Sequence, residues 1–235
     1  TDGIKDIVAE EKQSLGGIFR VGILPTIAPY LLPRFFPQLM KKYPALDIRV
    51  REMKTHEIKE ALLQGDIDAG ILATIEGLEE YMQTTLFYEK YQGYVSREDV
   101  LFSKEILRTS DVASSKDLWL LDEGHCFRDQ MVRFCQMKSS QSSQLAYNLG
   151  SMETFMRMVE SGIGITFIPE LAVMQLTDTQ KELVRPFAIP VPTRQLILIT
   201  NKHFIRQSLL EVFVKEIQDS VPKNMLKLGA GQALV

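Results

Sequence analysis

The chain has 235 residues, is 45% hydrophobic and 24% charged, and carries a formal net charge of −3. That is the make-up of an ordinary soluble protein with one large domain or two small ones, and it leaves no basic nucleic-acid footprint. No apolar run reaches the length of a membrane span and no signal peptide is visible, so a cytoplasmic protein without membrane contact is expected.

The first fifteen residues are polar and helical in pattern and end at Gly16-Gly17. They read as the end of a linker helix rather than part of a core, and the start at Thr1 reads as a fragment. Residues 18–24 form a predicted strand. Residues 31–43 follow as a helix, with Pro33 tolerated at its start and Pro37 a kink. A period-two strand over 46–52 leads to an amphipathic helix over 55–64, closed by Gly65. A strand over 67–72 comes next. The stretch 85–96 is extended, and 117–121 is a strand that runs into a short segment holding both cysteines. Ser140-Gln141-Ser142-Ser143 reads as a flexible loop. Ser151 is the predicted cap of a helix ending at Glu160, followed by Ser161-Gly162. Residues 163–168 form a buried strand stopped by Pro169. A strand over 194–200 and a helix over 204–220 close the pattern, and 222–235 reads as a loosely ordered tail. Strands alternating with helices imply an α/β fold with parallel pairing.

In open sheets of that kind, ligands sit beyond the carboxyl ends of the strands. That rule singles out Thr26, in the turn after the first strand, Thr55, at the start of the helix after the second, and the cysteine segment after the strand over 117–121. Three strand ends would converge on one cleft. The plain alternatives are a turn residue between two prolines for Thr26 and a helix cap for Thr55.

Cys126 and Cys135 are the only cysteines in the chain. Nine residues of helix would separate them by roughly 13 Å and about half a turn, whereas a disulfide needs α-carbons within about 7 Å. Either the thiols never pair, or pairing forces the segment to refold. A sensor cysteine must ionise, because the thiolate is the nucleophile. His125, Arg128, Arg133 and a position near a helix N-terminus favour that at Cys126, and Asp129 opposes it or anchors one of the arginines. Peroxide would turn such a thiolate into a sulfenic acid, which condenses with a second thiol, and only Cys135 is available. The plain reading is that both cysteines are small buried hydrophobes. His56, His125, His203 and the two cysteines fall into no zinc-like spacing, so neither metal nor cofactor is expected.

Several stretches resemble the regulatory domain of LysR-type transcriptional regulators. Phe19-Arg20-Val21-Gly22-Ile23-Leu24-Pro25-Thr26 with Pro29-Tyr30-Leu31-Leu32-Pro33 is similar to the family's first strand and helix. Gln64-Gly65-Asp66-Ile67-Asp68 is similar to its turn, and 161–169 to its glycine-rich strand entry. Gly124-His125-Cys126-Phe127-Arg128-Asp129-Gln130, with a second cysteine nine residues after the first, resembles the peroxide-sensing members. The resemblance implies a periplasmic-binding-protein-like (type II) fold of two Rossmann-like subdomains, 18–87 plus 192–220 and 88–191, with 1–16 as linker and 221–235 as tail. It implies hydrogen peroxide as the ligand, Cys126 as the peroxide-reactive residue and Cys135 as the resolving one. Thr26, Thr55 and His125 would surround the peroxide, with Asp129 and Arg194 in support. It further implies a homodimer of regulatory domains, tetrameric in the full-length protein, and DNA contact only through an N-terminal winged helix-turn-helix missing here. Reduction would come from a glutaredoxin- or thioredoxin-type system. Two other readings share the fold: a regulatory domain for a small organic effector without redox chemistry, and a thiol peroxidase.

Overall fold

The computed structural model describes residues 15–113, 115, 117–121, 126–135 and 151–235. The chain divides into two compact units, Thr1–Phe87 with Leu196–Lys227, and Tyr88–Gln195 with Leu228–Val235.

The first unit is built on strand β1 (Gly17–Ile23), which pairs in parallel with β2 (Leu46–Glu52) and with β3 (Ala69–Ala73). Helix α1 (Ala28–Lys42) connects β1 to β2, and α2 (Thr55–Gln64) connects β2 to β3. These are the expected crossovers, and the α2 and β2 limits match the periodicity. Helix α1 begins three residues earlier than its apolar pattern suggested. Pro29 explains this: its fixed φ suits the first turn and its missing N–H costs nothing there. Pro33 and Pro37 both lie inside the helix. Glycines let α2 approach the sheet closely. A Cβ at Gly70 would sit 2.4 Å from Ile58 Cγ2, and one at Gly22 would sit 3.1 Å from Ile58 Cγ1. Strand β7 (Val191–Asn201) contributes its last residues to this unit, antiparallel to β3 from Leu196 to Ile199. The final helix of the unit spans Gln207–Ser220 rather than starting at 204. Its Phe213 meets Phe19 and Phe35 edge-on at 5.2 and 5.5 Å, which ties it to β1 and α1.

The second unit takes the later part of β4 (Tyr81–Val95) and the first residues of β7; these two strands pass from one unit to the other. Strand β5 (Ile165–Pro169) runs antiparallel to β4, from Tyr91 opposite Pro169 to Val95 opposite Ile165. The two-residue strand β6 (Val184–Arg185) also pairs with β4. Three expectations need correction here. Residues 117–121 make one parallel bridge, Leu118 to Ile165, rather than a strand. The backbone turns at Gly164, whose φ is +67° and where a Cβ would lie 2.0 Å from the Asp117 carbonyl oxygen, and just past the bridge the Thr166 hydroxyl donates to the Trp119 carbonyl at 2.9 Å. Ser151 precedes the helix Met152–Glu160 as expected, but its side chain makes no capping hydrogen bond. The tail is not loose. Residues Lys223–Leu226 form a 3-10 turn, and β8 (Gln232–Leu234) pairs in parallel with β7, Val191 opposite Gln232 and Thr193 opposite Leu234. Alternation over only three residues is too short for its period to register in a sequence.

Candidate functional site: a thiol pair on one helix

In the first unit, the parallel register sets Ile23 opposite Glu52, and Met53 N–H donates to the Ile23 carbonyl at 2.9 Å. The loops after β1 and β2 therefore leave the same, carboxyl-terminal edge of the sheet. Thr26 lies in the first of these loops and Thr55 opens α2 after the second, and both are buried. The start of α2 is closed by the Lys54 N–H, which donates to the Glu57 carboxylate. A lysine ammonium has no lone pair to accept with. The Thr55 hydroxyl does not cap the helix: Oγ1 is buried and finds no hydrogen-bond partner among the described residues. A buried hydroxyl left so costs about 1–3 kcal/mol.

In the second unit, the cysteine segment forms helix α3 (Cys126–Phe134), and the Cys135 N–H continues its ladder to the Met131 carbonyl at 3.0 Å. Neither cysteine is in a disulfide, and both are buried. Cys126 occupies the first position of the helix, where unpaired N–H groups and the dipole favour an anion. Cys135 sits at the other end, and burial pushes its thiol up to about 12. It is thus protonated near neutral pH and a poor nucleophile where it stands. The helix buries Phe127 and Met131, and Phe127 meets the Tyr91 ring edge-on at 4.7 Å. Asp129 is exposed in the first turn, and Arg133 Nε donates to its backbone carbonyl at 3.4 Å rather than to its carboxylate. His125 and the serine-rich stretch over 140–143 lie outside the described residues.

Arg194, on β7, is 1% exposed and is the largest fully buried side chain of the chain's described core. Its Nε and Nη2 donate to Glu89 Oε2 at 2.9 and 2.8 Å, and Glu89 Oε1 accepts from the Leu171 N–H at 2.9 Å. The guanidinium carbon lies 5.4 Å from the Phe127 ring centroid and 5.6 Å from that of Tyr91. Burial works against the Arg194 charge, and Glu89, Tyr91 and Cys126 outweigh it. Burial likewise keeps Tyr91 protonated, so its hydroxyl donates to Gln130 Oε1 at 2.5 Å. Gln130, one turn after Cys126, then donates through Nε2 to the Val235 carbonyl at 2.9 Å. The chain of contacts joins β4, β7, α3 and the end of β8.

Among the expected site residues, Thr26 and Thr55 belong to the first unit and Cys126, Cys135, Asp129 and Arg194 to the second. Glu89, Tyr91 and Gln130 went unread. The signal for the first two was present: they sit two apart in an extended apolar stretch, which puts both on one face of a strand. A carboxylate on such a face needs a buried cation. Among the described residues no group of three His, Cys, Asp or Glu side chains is placed to hold a metal ion, and no helix is long and apolar enough to cross a membrane.

Comparison with known proteins places this geometry. The family model described as the LysR substrate binding domain matches residues 12–222. A crystal structure of OxyR from Porphyromonas gingivalis is 50% identical and superposes with a TM-score of 0.85, covering 93% of this chain and 99% of that one. A hydrogen peroxide-inducible genes activator from Dickeya chrysanthemi is 29% identical over 98% of this chain and 75% of its own length. The DNA-binding transcriptional dual regulator OxyR of Escherichia coli is 30% identical over 83% of this chain and 64% of its own length.

Proposed function

The chain belongs to the LysR substrate binding domain family, and on that premise we propose that it is the hydrogen-peroxide-sensing regulatory domain of a LysR-type, DNA-binding transcriptional regulator. The observation that carries this reading is the thiol pair itself. One buried cysteine opens α3 beside a buried guanidinium, and a second, held as a thiol, ends the same helix. The likeness to OxyR proteins supports it.

The chemistry follows from the two positions. The Cys126 thiolate attacks one peroxide oxygen, the O–O bond breaks, and hydroxide leaves, taking up a proton to become water. Cys126 is then a sulfenic acid. Cys135 displaces its hydroxyl group, a second water leaves, and a disulfide remains. The protein loses two hydrogens and the peroxide becomes two waters. Thr26, Thr55 and His125 are assigned to the peroxide oxygens. A hydroxyl both donates and accepts, as peroxide does, and Thr55 Oγ1, which has no hydrogen-bond partner among the described residues, supports this assignment. Asp129 and Arg194 stand in support.

A helix cannot bring its two ends within disulfide distance, so pairing requires residues 126–135 to unwind. That refolding would reach a partner subunit and, through it, DNA. The working assembly is a homodimer of such domains, tetrameric at full length, with DNA contact through a helix-turn-helix domain outside this chain. A glutaredoxin- or thioredoxin-type system returns the disulfide to thiols in the cytoplasm. The domain is a sensor rather than an enzyme: its disulfide is the signal, and reduction resets it rather than driving repeated peroxide turnover.

Mass spectrometry after stoichiometric peroxide tests the proposal. Loss of two hydrogens, reversed by reductant, is expected. Cys135→Ser should stop at the sulfenic acid and Cys126→Ser should not react. An unchanged mass would point to an effector-binding domain, and rapid repeated turnover with a reductase to a thiol peroxidase.

A further inference from the structure

We infer that Glu89 is the positioning residue that sets how readily Cys126 ionises: its carboxylate holds the Arg194 guanidinium against the first turn of α3 and offsets much of its charge. The inference rests on the reading of Cys126 as the reactive thiol and extends it to a residue outside the thiol pair.

The geometry is specific. Two of the Arg194 nitrogens are directed at Glu89, at 2.9 and 2.8 Å, while the guanidinium carbon lies 5.4 Å from the ring centroid of Phe127, the residue after Cys126. Arginine and carboxylate are 1% and 2% exposed, so solvent screens neither, and each is felt across a few ångströms far more strongly than on a surface. Burial pushes the Glu89 carboxyl above the usual carboxylate range, and Arg194 and the Leu171 N–H act against that push; a thiolate at Cys126 meets a cation already engaged by this carboxylate. His125, next to Cys126, lies outside the described residues. Tyr91, from β4, is protonated and neutral. Glu170 lies near Glu89 and is paired with Lys90 at 3.5 Å. Arg128 and Asp129 are on α3 itself and carry opposite charges. Neutralising Glu89 then leaves the buried Arg194 charge without its opposing carboxylate.

Stability alone gives no reason for this pair. Apolar side chains of the same volume would do as well or better than a buried ion pair. What only the pair supplies is a cation held at the first turn of α3, within electrostatic reach of Cys126, with its pull on the thiol moderated by Glu89.

The experiment reads ionisation without peroxide. In the Cys135→Ser protein only Cys126 is left to react, and its alkylation by iodoacetamide is followed against pH. Adding Glu89→Gln should lower the midpoint by about one pH unit or more, seen as a roughly tenfold faster alkylation at pH values well below the parent midpoint. An unchanged or raised midpoint overturns the inference. Glu89→Gln leaves a buried guanidinium without its carboxylate and is at risk of unfolding, so the doubly neutral Glu89→Gln/Arg194→Met protein is measured beside it. If Glu89 offsets Arg194, that variant keeps about the parent midpoint; if Arg194 acts unopposed, its midpoint rises, and the inference fails. Failure of the sensing proposal would look different: an unaltered mass after peroxide, whatever the alkylation profile.

Discussion

Met131 offers the sharpest test of whether α3 unwinds on oxidation. It lies between the two cysteines and is 0% exposed. Changing it to alanine removes buried atoms and leaves a cavity, at about 2–5 kcal/mol. Alanine is the best helix former, so the change acts through packing and not through helix propensity. If the segment unwinds when the disulfide forms, Met131 is buried only in the dithiol form, and the whole cost falls on that form. The disulfide then becomes harder to reduce. At about 30 mV for 1.4 kcal/mol in a two-electron couple, the potential should move roughly 40–110 mV more negative. Equilibration in graded dithiothreitol buffers, with alkylation and mass analysis of the thiol fraction, measures the shift. Urea melts of the reduced protein measure the stability loss independently. A full stability loss with an unmoved potential would mean that Met131 is packed equally in both forms, and the unwinding mechanism would be refuted.

Thr55→Val removes a hydroxyl that has no partner among the described residues, so it should stabilise the protein by about 1 kcal/mol in urea while slowing peroxide oxidation; Thr26→Val should slow it too. Unchanged oxidation rates in both would remove the threonines from the site. Gln130→Leu takes away the acceptor of the buried Tyr91 hydroxyl and the donor to Val235. It should cost about 1–3 kcal/mol and raise amide exchange in both α3 and β8; exchange confined to α3 would mean that the tail is held by its strand pairing alone. The Cys135 thiol is raised in the folded state to about 12, against about 8.5 for a free cysteine. Above the unfolded value the unfolded chain releases the proton first, so this stability is complete below pH ~8.5 and is lost as pH rises toward 12. Urea midpoints across that window should fall less steeply in Cys135→Ala than in the parent, and parallel slopes would contradict the assignment.

Much of the frame was local and therefore readable. The α2 and β2 limits follow from period and from Gly65, because amphipathic spacing and a left-handed stop act within a few residues. The place of Cys126 at a helix start was readable for the same reason, as was the impossibility of a disulfide across that helix. What depended on distant partners was not. A strand over 117–121 shrank to one bridge, Leu118 to Ile165, beside which a side-chain bond from Thr166 to Trp119 stands in for further ladder pairing. The tail became β8 because β7 had an unpaired edge to receive it, which three residues of alternation could not announce. Arg194 was singled out by resemblance alone, and its partner Glu89 lies 105 positions away in sequence. Burial creates that pairing: a lone carboxylate and a lone guanidinium are unremarkable in a sequence, and only the closing of β4 and β7 around them makes each require the other beside Cys126.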